Sequence, residues 1–172
     1  MSQAVDCDLL LYADDSCLTV THKNIKFIED TLNGNLSSLC DWLVDNKLSI
    51  HLGKTESILF GTRKKLGKEN QLNIKYGNQE IEQKQNVKYL GVTLDNTLDG
   101  KSMVESILSK INSKLKFLYR KQKFLNKNIR RLLCNSLIQP HYDFACCSWY
   151  PLLTLGLKDR LQISLLRNFC FL

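Results

Sequence analysis

Asp14 and Asp15 stand side by side between two short apolar runs, and adjacent carboxylates in that setting are candidates for holding a cation. Cys7-Asp8-Leu9-Leu10-Leu11 runs up to Tyr12-Ala13, and Ser16-Cys17-Leu18-Thr19-Val20 follows the pair. Two apolar runs about a short polar turn predict a β-hairpin with the carboxylates at its tip. Neighbouring carboxylates repel, so the pair is costly unless a cation neutralises it. Oxygen ligands suit magnesium. Two-metal phosphoryl transfer uses such carboxylates to hold the ions against phosphate and attacking oxygen. The plain alternative is a polar turn between two strands, where Asp is common.

Three further segments follow in order. They are Trp42-Leu43 with Asn46-Lys47-Leu48-Ser49-Ile50, then Lys54-Thr55-Glu56-Ser57-Ile58-Leu59-Phe60, then Asn86-Val87-Lys88-Tyr89-Leu90-Gly91-Val92-Thr93-Leu94-Asp95. Together with Tyr12-Ala13-Asp14-Asp15 they make the chain resemble the reverse transcriptase, or RNA-directed DNA polymerase, of non-LTR retrotransposons, most of all the jockey-type elements. The resemblance covers essentially the whole chain. It implies an α+β fold in which residues 1–98 are the C-terminal part of a polymerase palm, an antiparallel sheet with a packed helix. Residues 99–172 are then an all-α, thumb-like region.

The same resemblance assigns roles. It implies that Asp14 and Asp15 are catalytic, metal-binding carboxylates, with Asp14 favoured as the direct ligand, and that Tyr12 and Ala13 lie near the primer terminus. Lys54 matches a lysine that protonates departing pyrophosphate, a task open to a charged amine that reaches the leaving oxygen. Lys54 reads equally well as a turn residue after Gly53. Tyr89, Leu90 and Gly91 resemble the primer-grip hairpin, with Gly91 allowing close backbone approach. The implied reaction adds deoxynucleotides to a primer 3′-oxygen with two magnesium ions as cofactors. RNA template, DNA primer and deoxynucleoside triphosphates are the implied partners.

A working enzyme of this kind also needs a further carboxylate on a strand well upstream of the hairpin, and the fingers that position template and nucleotide. No other acid is an evident substitute, because Asp6 and Asp8 sit at the strand's far end. The expectation is that the isolated chain does not polymerise. The alternative is a non-catalytic, nucleic-acid-binding relic of a retrotransposon.

Charge supports a polyanionic partner independently of any motif. The net charge of +7 splits unevenly. Residues 1–99 carry 11 Lys/Arg against 14 Asp/Glu, and residues 100–172 carry 13 against 3. Nine basic residues and no acid fall between Lys110 and Arg131. They are Lys110, Lys114, Lys116, Arg120, Lys121, Lys123, Lys127, Arg130 and Arg131, the candidate nucleic-acid-binding set. A surface tuned only for solubility mixes signs, and blocks of one sign repel unless a polyanion such as a nucleic-acid backbone neutralises them. A solvated helix face is the bland alternative.

Composition excludes other classes. No apolar run approaches a membrane span and Met1 opens no secretory leader, so no membrane association and an intracellular location, cytoplasm and nucleus, are expected. Seven cysteines without Cys-x-x-Cys spacing predict buried free thiols rather than a disulfide framework or zinc site.

Apolar spacing then places the elements. Ile25, Ile28, Leu32, Leu36, Leu39 and Leu43 predict a helix from about Asn24 to Asn46. Short strands are predicted at Leu48–Leu52 and Ser57–Phe60, a polar and peripheral hairpin about Gly77-Asn78, and a strand at Val87–Asp95. Val104, Ile107, Leu108, Ile111, Leu115 and Leu118 predict a helix from Ser102 to about Tyr119. Asn126 caps the next, Pro140 ends or restarts it, and a last helix covers about Leu157–Phe169.

Overall fold

A computed structural model describes residues 7–67 and 71–171, with side chains of the last helix described as far as Leu166. The chain is mixed α and β, and among the described residues the sheets are three two-stranded antiparallel pairs. By internal contacts it divides into two units that meet between Gln85 and Asn86.

In the first unit, β1 (Asp8–Tyr12) pairs with β2 (Asp15–Thr19). The helix α1 (Ile25–Asp45) follows, its first turn capped by the Asn24 side chain, which accepts from Lys26 N–H at 2.9 Å. One stripe of α1 is buried through Ile28, Leu36, Leu39 and Leu43, as the spacing predicts. The helix ends in a Schellman closure. Leu48 N–H donates to the Leu43 carbonyl at 2.8 Å and Lys47 N–H to Val44 at 3.0 Å, with Lys47 left-handed at φ 55.

That closure overturns the strand expected at Leu48–Leu52, because Leu48 is committed to the helix end; Leu52–Lys54 forms a 3₁₀ turn instead. The strand expected at Ser57–Phe60 shrinks to one parallel bridge, Ser57 with Gln83, flanked by an ion pair between Lys84 and Glu56 at 2.6 Å.

The hairpin β3 (Lys75–Tyr76) and β4 (Gln79–Glu80) turns at Gly77, where φ is 60. It is not peripheral. Leu72, Ile74 and Ile81 are buried with Ile28 and Leu36 of α1, while Asn73, Lys75 and residues 77–80 face water. Asn33 of α1 fastens it, donating to Asn73 C=O at 3.0 Å and accepting from Lys75 N–H at 2.8 Å.

The second unit opens with a hairpin where one strand is expected over Val87–Asp95. Strands β5 (Asn86–Tyr89) and β6 (Val92–Asp95) pair antiparallel about Leu90-Gly91, both left-handed at φ 47 and φ 85. Two positive-φ residues fit a turn that matches strand twist.

Asp95 ends β6 only 6% exposed. Its carboxylate accepts from Asp99 N–H at 2.8 Å and Ser102 N–H at 3.4 Å, satisfying backbone donors at the start of α2 (Lys101–Lys121). Then come α3 (Lys127–Leu137), α4 (Gln139–Asp143), α5 (Cys146–Trp149) and α6 (Leu155–Phe171). Asn126 caps α3, accepting from Ile129 N–H at 2.9 Å.

Val104, Ile107, Ile111, Leu115 and Leu118 make the buried face of α2. They pack with Ile138, Tyr142, Trp149, Leu153 and Leu161 as the core of this unit.

Among the cysteines with described side chains none is in a disulfide, and only Cys134 is buried; Cys7, Cys17, Cys40 and Cys146 are partly exposed and Cys147 is exposed. Among the described residues, no helix is long and apolar enough to cross a membrane.

Candidate functional site

The Asp pair lies where two antiparallel strands reverse. The register sets Tyr12 opposite Asp15, so the two-residue turn is Ala13-Asp14, with Ala13 left-handed at φ 52. Asp14 therefore occupies the tip, and Asp15 is the first residue of β2 rather than part of the turn. Cross-strand partners share a face, which places Asp15 with Tyr12, Leu10 and Cys17. Leu18, on the other face, packs against the core of the first unit. Both carboxylates are exposed.

Neither Asp14 nor Asp15 is engaged by a protein cation among the described residues, which leaves their oxygens open to a ligand. Magnesium is commonly held by one or two carboxylates together with substrate phosphates. The pair offers two exposed carboxylates, the donor chemistry such an ion takes. It does not by itself complete a two-ion site, since among the described residues no three His, Cys, Asp or Glu side chains gather as a metal cluster. Asp8, opposite Thr19 at the base of the hairpin, is four residues from Tyr12, or ~14 Å along the strand.

Lys54 closes the 3₁₀ turn at Leu52–Lys54, its N–H bonded to the His51 carbonyl at 2.9 Å and its side chain exposed. Among the described residues no hydrogen bond or ion pair joins it to Asp14 or Asp15. Tyr89, Leu90 and Gly91 belong to the other unit, and from residues alone they read as buried strand. Instead Leu90 and Gly91 form the exposed turn, and only Tyr89 is partly covered. A Cβ on Gly91 would come 2.9 Å from Phe144 Cζ, so glycine there permits a close approach of the hairpin to the residue that follows α4.

The nine basic side chains do not form one uniform surface. Lys116 and Arg120 lie on the side of α2 opposite its buried stripe, and both are exposed, as are Lys121, Lys123, Lys127 and Arg131. Lys110, also exposed, flanks that stripe with Lys114 and Lys121.

Lys114 and Arg130 are only partly exposed. The Lys114 ammonium is committed inward, 3.0 Å from the Leu137 carbonyl and 2.6 Å from His141 Nε2. Burial, then Lys114 and Lys110, pushes the His141 imidazole below its ordinary value. Nothing in the sequence pattern separates Lys114 from its neighbours, because the partner that claims it is 27 residues away.

No protein-family model matches the chain, and neither the curated proteins nor the solved structures give a significant match.

Proposed function

We propose that the chain is part of an RNA-directed DNA polymerase of the non-LTR retrotransposon kind, with the first unit contributing palm-like structure and the helices of the second contributing a thumb-like nucleic-acid grip. The observation that carries this reading is the β1–β2 hairpin, which holds Asp14 at its tip and Asp15 beside it, both exposed and unclaimed by protein cations among the described residues. Asp14 and Asp15 would hold magnesium, which supplies positive charge to the oxygens of a phosphoryl group in transfer. Tyr12 shares the face of Asp15 and would border the primer terminus. Lys54 is free to approach phosphate, and the exposed Lys and Arg of α2 and α3 would grip an RNA–DNA hybrid through its backbone.

Two carboxylates support ion binding but not full nucleotidyl transfer, so the chain alone should bind metal and nucleic acid without extending a primer. The test has two arms. Manganese titrated into isotopically labelled protein should broaden the amide signals of residues 12–16 first, and Asp14→Asn should abolish that effect. Primer extension by the purified chain should be absent. Magnesium-dependent extension lost in Asp14→Asn would overturn the claim that the two carboxylates are insufficient; absence of localised broadening would overturn the metal assignment.

A non-catalytic nucleic-acid-binding role is the second reading. It is favoured by the run of nine basic residues without an acid between Lys110 and Arg131, which does not depend on the hairpin. Salt-sensitive binding unchanged by Asp14→Asn and Asp15→Asn, with no metal effect at the hairpin, would select it.

A further inference from the structure

The corner between α2 and α3 carries an exposed ring in the middle of the acid-free stretch. After Lys121 the chain makes a 3₁₀ turn at Gln122–Phe124, closed by Leu125 N–H to the Gln122 carbonyl at 3.1 Å. Leu125 turns inward and packs against the core of the second unit, and Asn126 caps α3. Phe124 is left 82% exposed between Lys123 and Lys127. Phe117, 53% exposed, sits four residues before Lys121 on the same flank of α2. The turn bond on one side and the Asn126 cap on the other fix the backbone about the ring.

We infer that this corner binds an unpaired nucleic-acid strand, with a base stacked on Phe124 and the neighbouring phosphates held by Lys121, Lys123 and Lys127. The inference rests on the nucleic-acid reading above and narrows it. A duplex buries the faces of its bases within its own stack and offers Lys and Arg only a backbone, which leaves an exposed phenyl ring without a partner. An unpaired strand alternates a π-face with a phosphate at every nucleotide, matching a ring set among cations. A protein partner fits less well. Covering Phe124 with an apolar surface would desolvate charges of one sign, and the stretch from Lys110 to Arg131 holds no acid to compensate them.

The test uses the full chain and two fluorescent probes, a single-stranded oligothymidylate and an RNA–DNA hybrid of equal length. Phe124→Ala changes a side chain that is mostly in water, so folding should be preserved. It should weaken binding of the single strand roughly tenfold and leave the hybrid within about twofold. Phe124→Trp should retain single-strand affinity, and its added fluorescence should be quenched on binding. Neutralising Lys121 and Lys123 to Gln should weaken both probes.

Equal losses on both probes in Phe124→Ala, or no quenching in Phe124→Trp, would overturn stacking while the basic grip stands. Failure of the wild-type chain to bind either probe would overturn both readings. Displacement of oligothymidylate by polyglutamate of equal charge at equal concentration would overturn the assignment in favour of an acidic protein partner.

Discussion

Lys114 of α2 donates to His141 of α4 across 2.6 Å, and the same ammonium reaches the Leu137 carbonyl at the end of α3. An ammonium has only donors, so Nε2 is the acceptor and the imidazole carries its proton on Nδ1. One side chain thus ties three helices together and depends on a neutral histidine.

Stability should therefore fall on the acid side. His141 is held below its ordinary value by burial first and then by Lys114 and Lys110. Below about 6.5, the ordinary imidazole value, the unfolded chain takes up a proton that the folded chain resists. The unfolded state then binds more protons, so stability is full above that value and drains away as pH falls towards the lowered folded value. Urea midpoints measured from about pH 7.5 to about pH 5 should show this slope in the wild type and a shallower one in His141→Gln. Identical slopes would mean that the histidine is not so held.

Lys114 should also be silent in nucleic-acid binding. If about six phosphates are contacted, log affinity should fall against log salt with a slope of about −5. Lys121→Gln and Lys123→Gln should each reduce the magnitude of that slope by about 1. Lys114→Gln should leave it unchanged while lowering thermal stability, because two of its three donors are directed inward to Leu137 and His141. A slope change in Lys114→Gln equal to that in Lys121→Gln would contradict the inward placement.

Asp95 should behave as a buried cap. It accepts from Asp99 and Ser102 N–H groups. Asp95→Ala removes that acceptor and should cost about 1–3 kcal/mol, read from chemical denaturation. Ser102→Ala keeps the backbone donor and should cost less. A neutral Asp95→Ala would show that water satisfies the donors instead.

Glycine positions should rank by what lies behind them. Gly100 is left-handed at φ 71, and an added Cβ would come 2.5 Å from Leu153 Cδ2, which is itself buried. Gly91 is left-handed at φ 85, but its neighbour Phe144 is exposed and free to turn aside. Gly91→Ala should cost about 1–2 kcal/mol from backbone strain, and Gly100→Ala more because packing adds to it. Equal losses would mean that strain alone matters at both sites.

The sequence by itself determined the local features. Apolar spacing marked α1, α2 and the start of α3, because a buried stripe needs side chains at every third or fourth position and that period is written in order along the chain. Asn126 announced a helix start, and the flanks of Asp14-Asp15 announced a hairpin, since caps and turns act over a few residues. The division of charge was visible for the same reason: it is additive.

Tertiary structure decided whatever depends on residues far apart. Leu48 looked like the start of a strand, but its N–H closes the end of α1. Leu72, Ile74 and Ile81 sat among polar residues and became core because α1 covers one face of their hairpin. Val87–Asp95 folds back at Leu90-Gly91, a reversal that Leu at φ 47 does not advertise. Lys114 and Lys116 are alike in sequence, yet one faces water and the other a histidine 27 residues on. A side chain's role follows from the partner that reaches it, and packing brings that partner from elsewhere in the chain.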